Sequence, residues 1–223
     1  MLNVYSVSGN ATGCVMAAET GIIERLERLR EKRFAEDERQ VCMERACILQ
    51  ETQTTLAHLS HTARQAAIVR ALCERITCVI EPEDLIVGRM PEGIPTADEE
   101  AFIEEHPEFF CDAGVPGWLD SLGIYIPDWD RLIEQGIGGL VAAARENHAK
   151  SAVAHREFLQ AVIESLEAVA LLIRRYAGEV RGCLRSEENP TRRAELAEIA
   201  ARCDRIAWEP AGTFIDALQL IQL

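Results

Sequence analysis

Cysteine, histidine, glycine and arginine pose the first chemical questions in this chain. Cys14 lies in "SGNATGCVMA", a glycine-flexed loop of the kind that can present a nucleophilic thiol, which needs exposure and a depressed pKa. No histidine stands near it in sequence, and a buried or inert thiol is the favoured reading. His58 and His61, three residues apart, have a spacing that could ligate a metal, but no carboxylate or cysteine stands at a matching interval, so they read as a surface pair. Cys42 with Cys47, and Cys73 with Cys78, are five residues apart, which on a helix turns the two thiols to different faces. The clusters "GIGG" and "AGVPG" have neither the spacing nor the strand-to-helix setting of a phosphate loop. Arg174 and Arg175, just before Tyr176 on an otherwise apolar helix, call for carboxylate partners within the fold. Residue chemistry alone therefore assigns no catalytic residue, no cofactor-binding residue and no metal ligand.

The elements that would position these groups are mostly helical. "TGIIERLERLREKRF" puts Ile22, Ile23, Leu26 and Leu29 on one face, with Glu24 four residues before Arg28. "AEDERQVCMERACILQETQTTL" continues the pattern, with Val41, Arg45, Ile48 and Thr52 on one line and Cys42, Ala46 and Leu49 on another. In "TARQAAIVRALCERITCVI", Ile68, Leu72 and Ile76 recur at steps of four among small alanines. "EPEDLIVG" then changes character. Pro82 and Asp84 mark a turn, and Leu85, Ile86 and Val87 ending on Gly88 predict a short buried strand. Residues 89–127 are punctuated by prolines and glycines and read as a long irregular excursion. "PDWDRLIEQGIGGLVAAARENHAKS" predicts a helix broken at Gly136, Gly138 and Gly139 and restarted. In the long helix that follows, Phe158, Val162, Ser165, Val169, Leu172 and Tyr176 trace one stripe, and alanines leave its middle turns apolar nearly all round. Asn189 and Pro190 cap the next helix, whose core face is Leu196, Ile199, Ala200 and Cys203. The final stretch, "WEPAGTFIDALQLIQL", begins a helix at Thr213, with Asp216 placed as in a capping box and no terminating signal after Ile221.

Bulk composition sets the limits. The chain has 223 residues, 48% of them hydrophobic and 27% charged, which is the balance of a globular protein. A formal charge of −14 disfavours phosphate backbones and anionic lipid, so neither nucleic acid nor a membrane is an expected partner. The N-terminus lacks the basic and apolar regions of a signal peptide and no stretch is long enough to span a bilayer, which predicts a cytoplasmic protein. The eight cysteines are spread through a chain that needs no disulfide staples, so reduced thiols are expected.

The order of the segments says more than any one of them. "ERACILQE", "RQAAIVRALCERITCVIEPEDLIVG", "GIYIPDWDRLIEQGIGGL", "FLQAVIESLEAVALLIRRYA" and "IAWEPAGTFIDALQLIQL" together resemble the N-terminal portion of the glycyl radical enzymes, the family of pyruvate formate-lyase and its glycerol-dehydratase-like and choline-lyase-like relatives. The similarity runs from about residue 39 to residue 223, and "EDLIVG", "RYA" and "TFIDALQ" are its most telling pieces. The last looks like the family's "TFHEALQ", with Ile215 and Asp216 in place of His and Glu.

The resemblance implies a mainly α chain with a few short strands, corresponding to the helical part and first strand region of an incomplete α/β barrel. Residues 1–20 would be an N-terminal tail and 21–223 a partial pyruvate formate-lyase-like domain, cut short at its C-terminal end. The family's chemistry is anaerobic radical cleavage of C–C, C–O or C–N bonds by lyases, dehydratases and formate acetyltransferases. It uses a thiyl cysteine in a "GCVE"-like loop and a glycine in an "RVxGY"-like loop, both beyond the matching segments. "GCVM" at residues 13–16 imitates the first in letters but precedes every matching segment, so the thiyl role is not carried to Cys14. The family binds no metal or cofactor for turnover and depends on a radical-SAM activating enzyme. The partners implied are a small-molecule substrate for the full-length enzyme, that activating enzyme, and self-association through apolar surface left uncovered. Where relatives place a polar side chain after the glycine of "GH...PDY", this chain has "GIYIPDW" and puts Ile124 in the substrate-pocket position. Isoleucine offers no hydrogen bond, which implies a less polar substrate at that point or a pocket out of use. The expectation is thus an N-terminal portion that is not catalytically competent alone. The alternative is a non-catalytic binding or regulatory protein derived from the same family.

Overall fold

The computed structural model describes residues 22–32, 34, 40–106 and 127–223. Cys14, Cys111 and Ile124 lie outside the described residues. The chain divides into two compact units, Met1–Gln40 and Val41–Leu223. In the first unit, helix α1 (22–32) follows its sequence pattern, and Ile22, Ile23 and Leu26 on its apolar face are exposed.

The second unit contains α2 (Met43–Thr55), α3 (His61–Arg75), α4 (Ala97–Glu105), α5 (Trp129–Lys150), α6 (Val153–Ser186), α7 (Pro190–Ile206) and α8 (Phe214–Gln222). Local chemistry starts five of them, all but α2 and α6, where polar side chains meet the free N–H groups of a first turn. Ser60 accepts from the Ala63 N–H, Asp128 from Arg131 and Asn189 from Thr191 and Arg192, with Pro190 in the first turn of α7. Thr96 and Glu99 form a reciprocal capping box on α4. Val41 departs from the helical line predicted for it. It exchanges backbone hydrogen bonds with Gly93 at 3.0 and 3.1 Å, and α2 begins only at Met43.

Helix α6 is the axis of this unit, with α3, α5 and α7 packed along it. Ile163, Ala170 and Ala177 are buried at heptad intervals, as are Ile173 and Val180 three residues after the last two, and partly buried Leu166 and Leu184 extend the seam. The stripe expected from sequence lies to one side of this seam. Its Tyr176 is buried, whereas Phe158 is 61% exposed, because the first turns of α6 project past the helices that cover its middle. The main core gathers this seam with Ile137 and Val141 of α5, Leu196, Ile199, Cys203 and Ile206 of α7, and Leu220 of α8. A second, small cluster joins Ala46, Leu49 and Ile68 of α2 and α3, with Leu72 and Phe102 against it.

The glycine break predicted in α5 is present. Gly136 has φ +63, and a Cβ there would lie 2.6 Å from the Glu209 backbone. The α7–α8 connection runs against the kink, with Gly138 N–H donating to the Trp208 carbonyl at 2.9 Å and Ala211 N–H to the Ile133 carbonyl at 3.1 Å. Only a residue without a side chain permits so close an approach of two backbones.

Among the described residues, the short strands expected from sequence are not formed. Among the described residues, β-pairing is limited to two isolated antiparallel bridges, Val41 with Gly93 and Val79 with Arg89. The predicted strand at 85–88 is buried where it was expected to be, at Val87, but side chains occupy its hydrogen-bonding positions in place of a neighbouring strand.

Candidate functional site

The three most telling pieces of the resemblance meet around residues 81–89. Gln219 of "TFIDALQ" is fully buried, and its carboxamide oxygen accepts from the Val87 N–H at 3.0 Å while its Nε2 donates to the Val87 carbonyl at 2.6 Å. One side chain thus serves both backbone groups of Val87 as a paired strand would. Tyr176 of "RYA" donates its hydroxyl to the Arg89 carbonyl at 2.9 Å. Burial raises the Tyr176 pKa above the ordinary phenol value, so the group stays a neutral donor. Beside it, Arg175 donates to the carbonyls of Cys73 and Ile76 at 2.8 and 2.6 Å, closing the end of α3.

Two arginines of α7 complete the clamp. Arg192 donates to the Asp84 and Glu81 carbonyls at 2.7 and 3.0 Å and pairs with Glu195. Arg202, 5% exposed, donates to the Leu85 carbonyl at 2.9 Å and to Glu198. Backbone carbonyls at the turn therefore point into a positive field, which favours a fixed irregular backbone over a mobile one. Gly88 has φ +133, and a Cβ there would come within 2.9 Å of the Gln222 carbonyl oxygen, so the segment can leave the clamp only through a glycine.

Asp216 anchors the start of α8. Its backbone N–H donates to the Thr213 hydroxyl at 3.2 Å, as the sequence predicted, but its carboxylate does not close a capping box. It accepts from Arg205 at 2.5 Å and from the Gly212 N–H at 3.2 Å, with Arg202 Nε 3.9 Å away. Desolvation pushes this carboxyl up, but the Thr213 hydroxyl and the Arg205 guanidinium outweigh it and hold the pKa below the ordinary 3.8.

The other chemical candidates separate from this junction. His58 and His61 are exposed at the turn before α3 and its first residue, and no group of three or more His, Cys, Asp or Glu converges on a metal position among the described residues. Burial pushes the Cys73 and Cys203 thiols up to about 11 and about 12, so neither is poised as a nucleophile at neutral pH. Among the described residues, Arg174 and Arg175 do not meet the carboxylates expected for them. Arg175 finds helix-end carbonyls, which carry the partial negative charge of a C-terminus, and the Arg174 guanidinium lies 5.6 Å from the Trp208 ring centre. Pro127, Asp128 and Trp129 of "GIYIPDW" lead into α5, with Asp128 as its cap. Sequence reasoning missed Arg192, Arg202 and Gln219. The available signal was placement: each flanks a core line, Arg192 and Arg202 beside Leu196, Ile199 and Cys203, and Gln219 next to Leu220.

The arrangement holds backbone, not substrate: its polar groups are spent on carbonyls, N–H groups and one another. Comparison with known proteins shows what the chain is similar to. The sequence model described as pyruvate formate lyase-like matches residues 117–223. The (2S)-3-sulfopropanediol dehydratase of Klebsiella oxytoca is 36% identical over 99 residues, covering 42% of this chain and 12% of that protein. Among solved structures, a glycyl radical enzyme from Archaeoglobus fulgidus matches 88% of this chain and 33% of its own, with TM-score 0.69 at 21% identity. Hydroxyproline dehydratase from Clostridioides difficile matches 89% of this chain and 33% of its own, with TM-score 0.71 at 18% identity. Residues 117–223 are thus similar to pyruvate formate lyase-like sequences, and the chain shares its fold with part of the solved glycyl radical enzyme structures. More particularly, this chain is a mainly helical portion of that fold: it spans about 12% of the curated relatives it matches and about a third of the solved chains.

Proposed function

We propose that the unit Val41–Leu223 serves as the N-terminal helical scaffold of a glycyl radical enzyme of the lyase or dehydratase kind. The observation that carries this reading is the convergence of "EDLIVG", "RYA" and "TFIDALQ", recognisable separately in sequence, on one hydrogen-bonded junction through Val87, Tyr176 and Gln219. Such a junction fixes where an irregular chain segment enters and leaves a helical body, a positioning task with no proton or electron to move. Radical cleavage would then depend on a thiyl cysteine and a glycyl loop outside these 223 residues, and Ile124 would face the substrate at a position where it offers no hydrogen bond. The activating enzyme and the small-molecule substrate would be partners of the larger assembly, and apolar side chains left exposed, such as Phe214 and Ile221, would favour self-association of this portion. No described helix is long and apolar enough to cross a membrane, and we place the assembly in the cytoplasm.

The test is electron paramagnetic resonance. The purified chain, incubated anaerobically with a radical-SAM activating enzyme, reductant and S-adenosylmethionine, is expected to show no glycyl doublet. A protein doublet whose splitting changes when the chain is made with isotopically labelled glycine would overturn the scaffold reading, because these residues would then carry the radical themselves.

A further inference from the structure

We draw no further inference here: the strongest candidate, the apolar groove of about 230 Å³ lined by Leu72, Ile76, Met90, Leu172, Tyr176 and Leu223 between α3, α6 and the end of α8, carries nothing because nothing in the structure shows what covers it.

Discussion

Helix α6 buries Ile163, Ala170, Ile173, Ala177 and Val180 along a helix of 34 residues, whereas α2 and α3 share a cluster of only Ala46, Leu49 and Ile68. Polar side chains tie down backbone in both regions, and the two differ in the apolar burial beneath those ties. Around α6 that burial is a long apolar seam with close backbone contacts, and Gly136 lets the α7–α8 connection touch α5 directly. Around α2 and α3, polar side chains reach across to backbone: Glu44 accepts from the Thr77 N–H and hydroxyl at 3.0 Å each, and Arg175 ties down the last carbonyls of α3. A long seam sums many small dispersion contacts and area terms. A small cluster gains less from burial, so each directional bond counts for more. The residues matched by the family's sequence model, 117–223, take in α5 to α8, and the two small-cluster helices lie outside them.

The contrast is broken most severely at the kink. Gly136→Ala would place a methyl 2.6 Å from the Glu209 backbone and force a side chain into a positive-φ conformation. Left-handed geometry costs about 1–2 kcal/mol and overpacking about 1–3 kcal/mol, so a loss of about 2–5 kcal/mol is expected in urea unfolding. A loss below about 1 kcal/mol would mean that the α5 break relaxes freely and that backbone contact is not what holds the body together.

The next largest effect lies at the clamp around residues 85–88. Gln219→Leu keeps the volume but leaves the N–H and carbonyl of Val87 without their partners. An unsatisfied buried polar group costs about 1–3 kcal/mol, so about 2–4 kcal/mol is expected here. Hydrogen exchange localises it: the Val87 amide should lose protection while Leu49 in α2 keeps its own. Equal loss at both would show that the clamp and the small cluster open as one unit, contrary to the division drawn above.

A smaller effect follows from Asp216. Its folded pKa is depressed, so its contribution is present above the unfolded value of 3.8 and is lost as pH falls through the folded value. The melting temperature is expected to hold from neutral pH to about pH 4 and to fall below it, from this group among other carboxylates. Asp216→Asn should lower stability at neutral pH, where Arg205 and Arg202 lose their counter-charge, and narrow the gap to the parent in acid. A gap that stays constant with pH would show that the ion pair adds nothing beyond hydrogen bonding.

Legibility in the sequence tracked the same contrast. The broken α5, the cap at Asn189 with Pro190 and the core face of α7 were readable because Gly, Pro and Asn act through local backbone geometry, and apolar periodicity reports burial. The segment 85–88 was readable as buried but not as strandless, since its hydrogen bonds come from Gln219 and Arg202, more than a hundred residues away in sequence. The same distance hid the partners of Arg175, for which a carboxylate is the natural guess and a helix end the actual answer. On α6 the stripe read through Phe158, Val162 and Tyr176 lies beside the true seam, because the middle turns are apolar nearly all round and the helices packed along them decide which line is buried. The proposed pocket position, Ile124, rests on resemblance, and the described residues bear on it only through the cap and helix that follow.

The smallest expected effect concerns a glycine that the packing does not require. Gly178 lies within α6 on an exposed turn, between buried Ala177 and Val180, and a Cβ built there meets nothing within 4 Å. Glycine in a helix interior costs about 0.8–1 kcal/mol relative to alanine because it gives up more backbone freedom on folding. Gly178→Ala should therefore stabilise by about that amount and raise the melting temperature by roughly 2–4 °C. This is the reverse of Gly136→Ala, although both glycines sit inside helices of the same body. If Gly178→Ala instead destabilises, that face of α6 is covered in solution by polypeptide packed as closely as Glu209 is against Gly136, and the body would be built on backbone contact along α6 as well as at the kink.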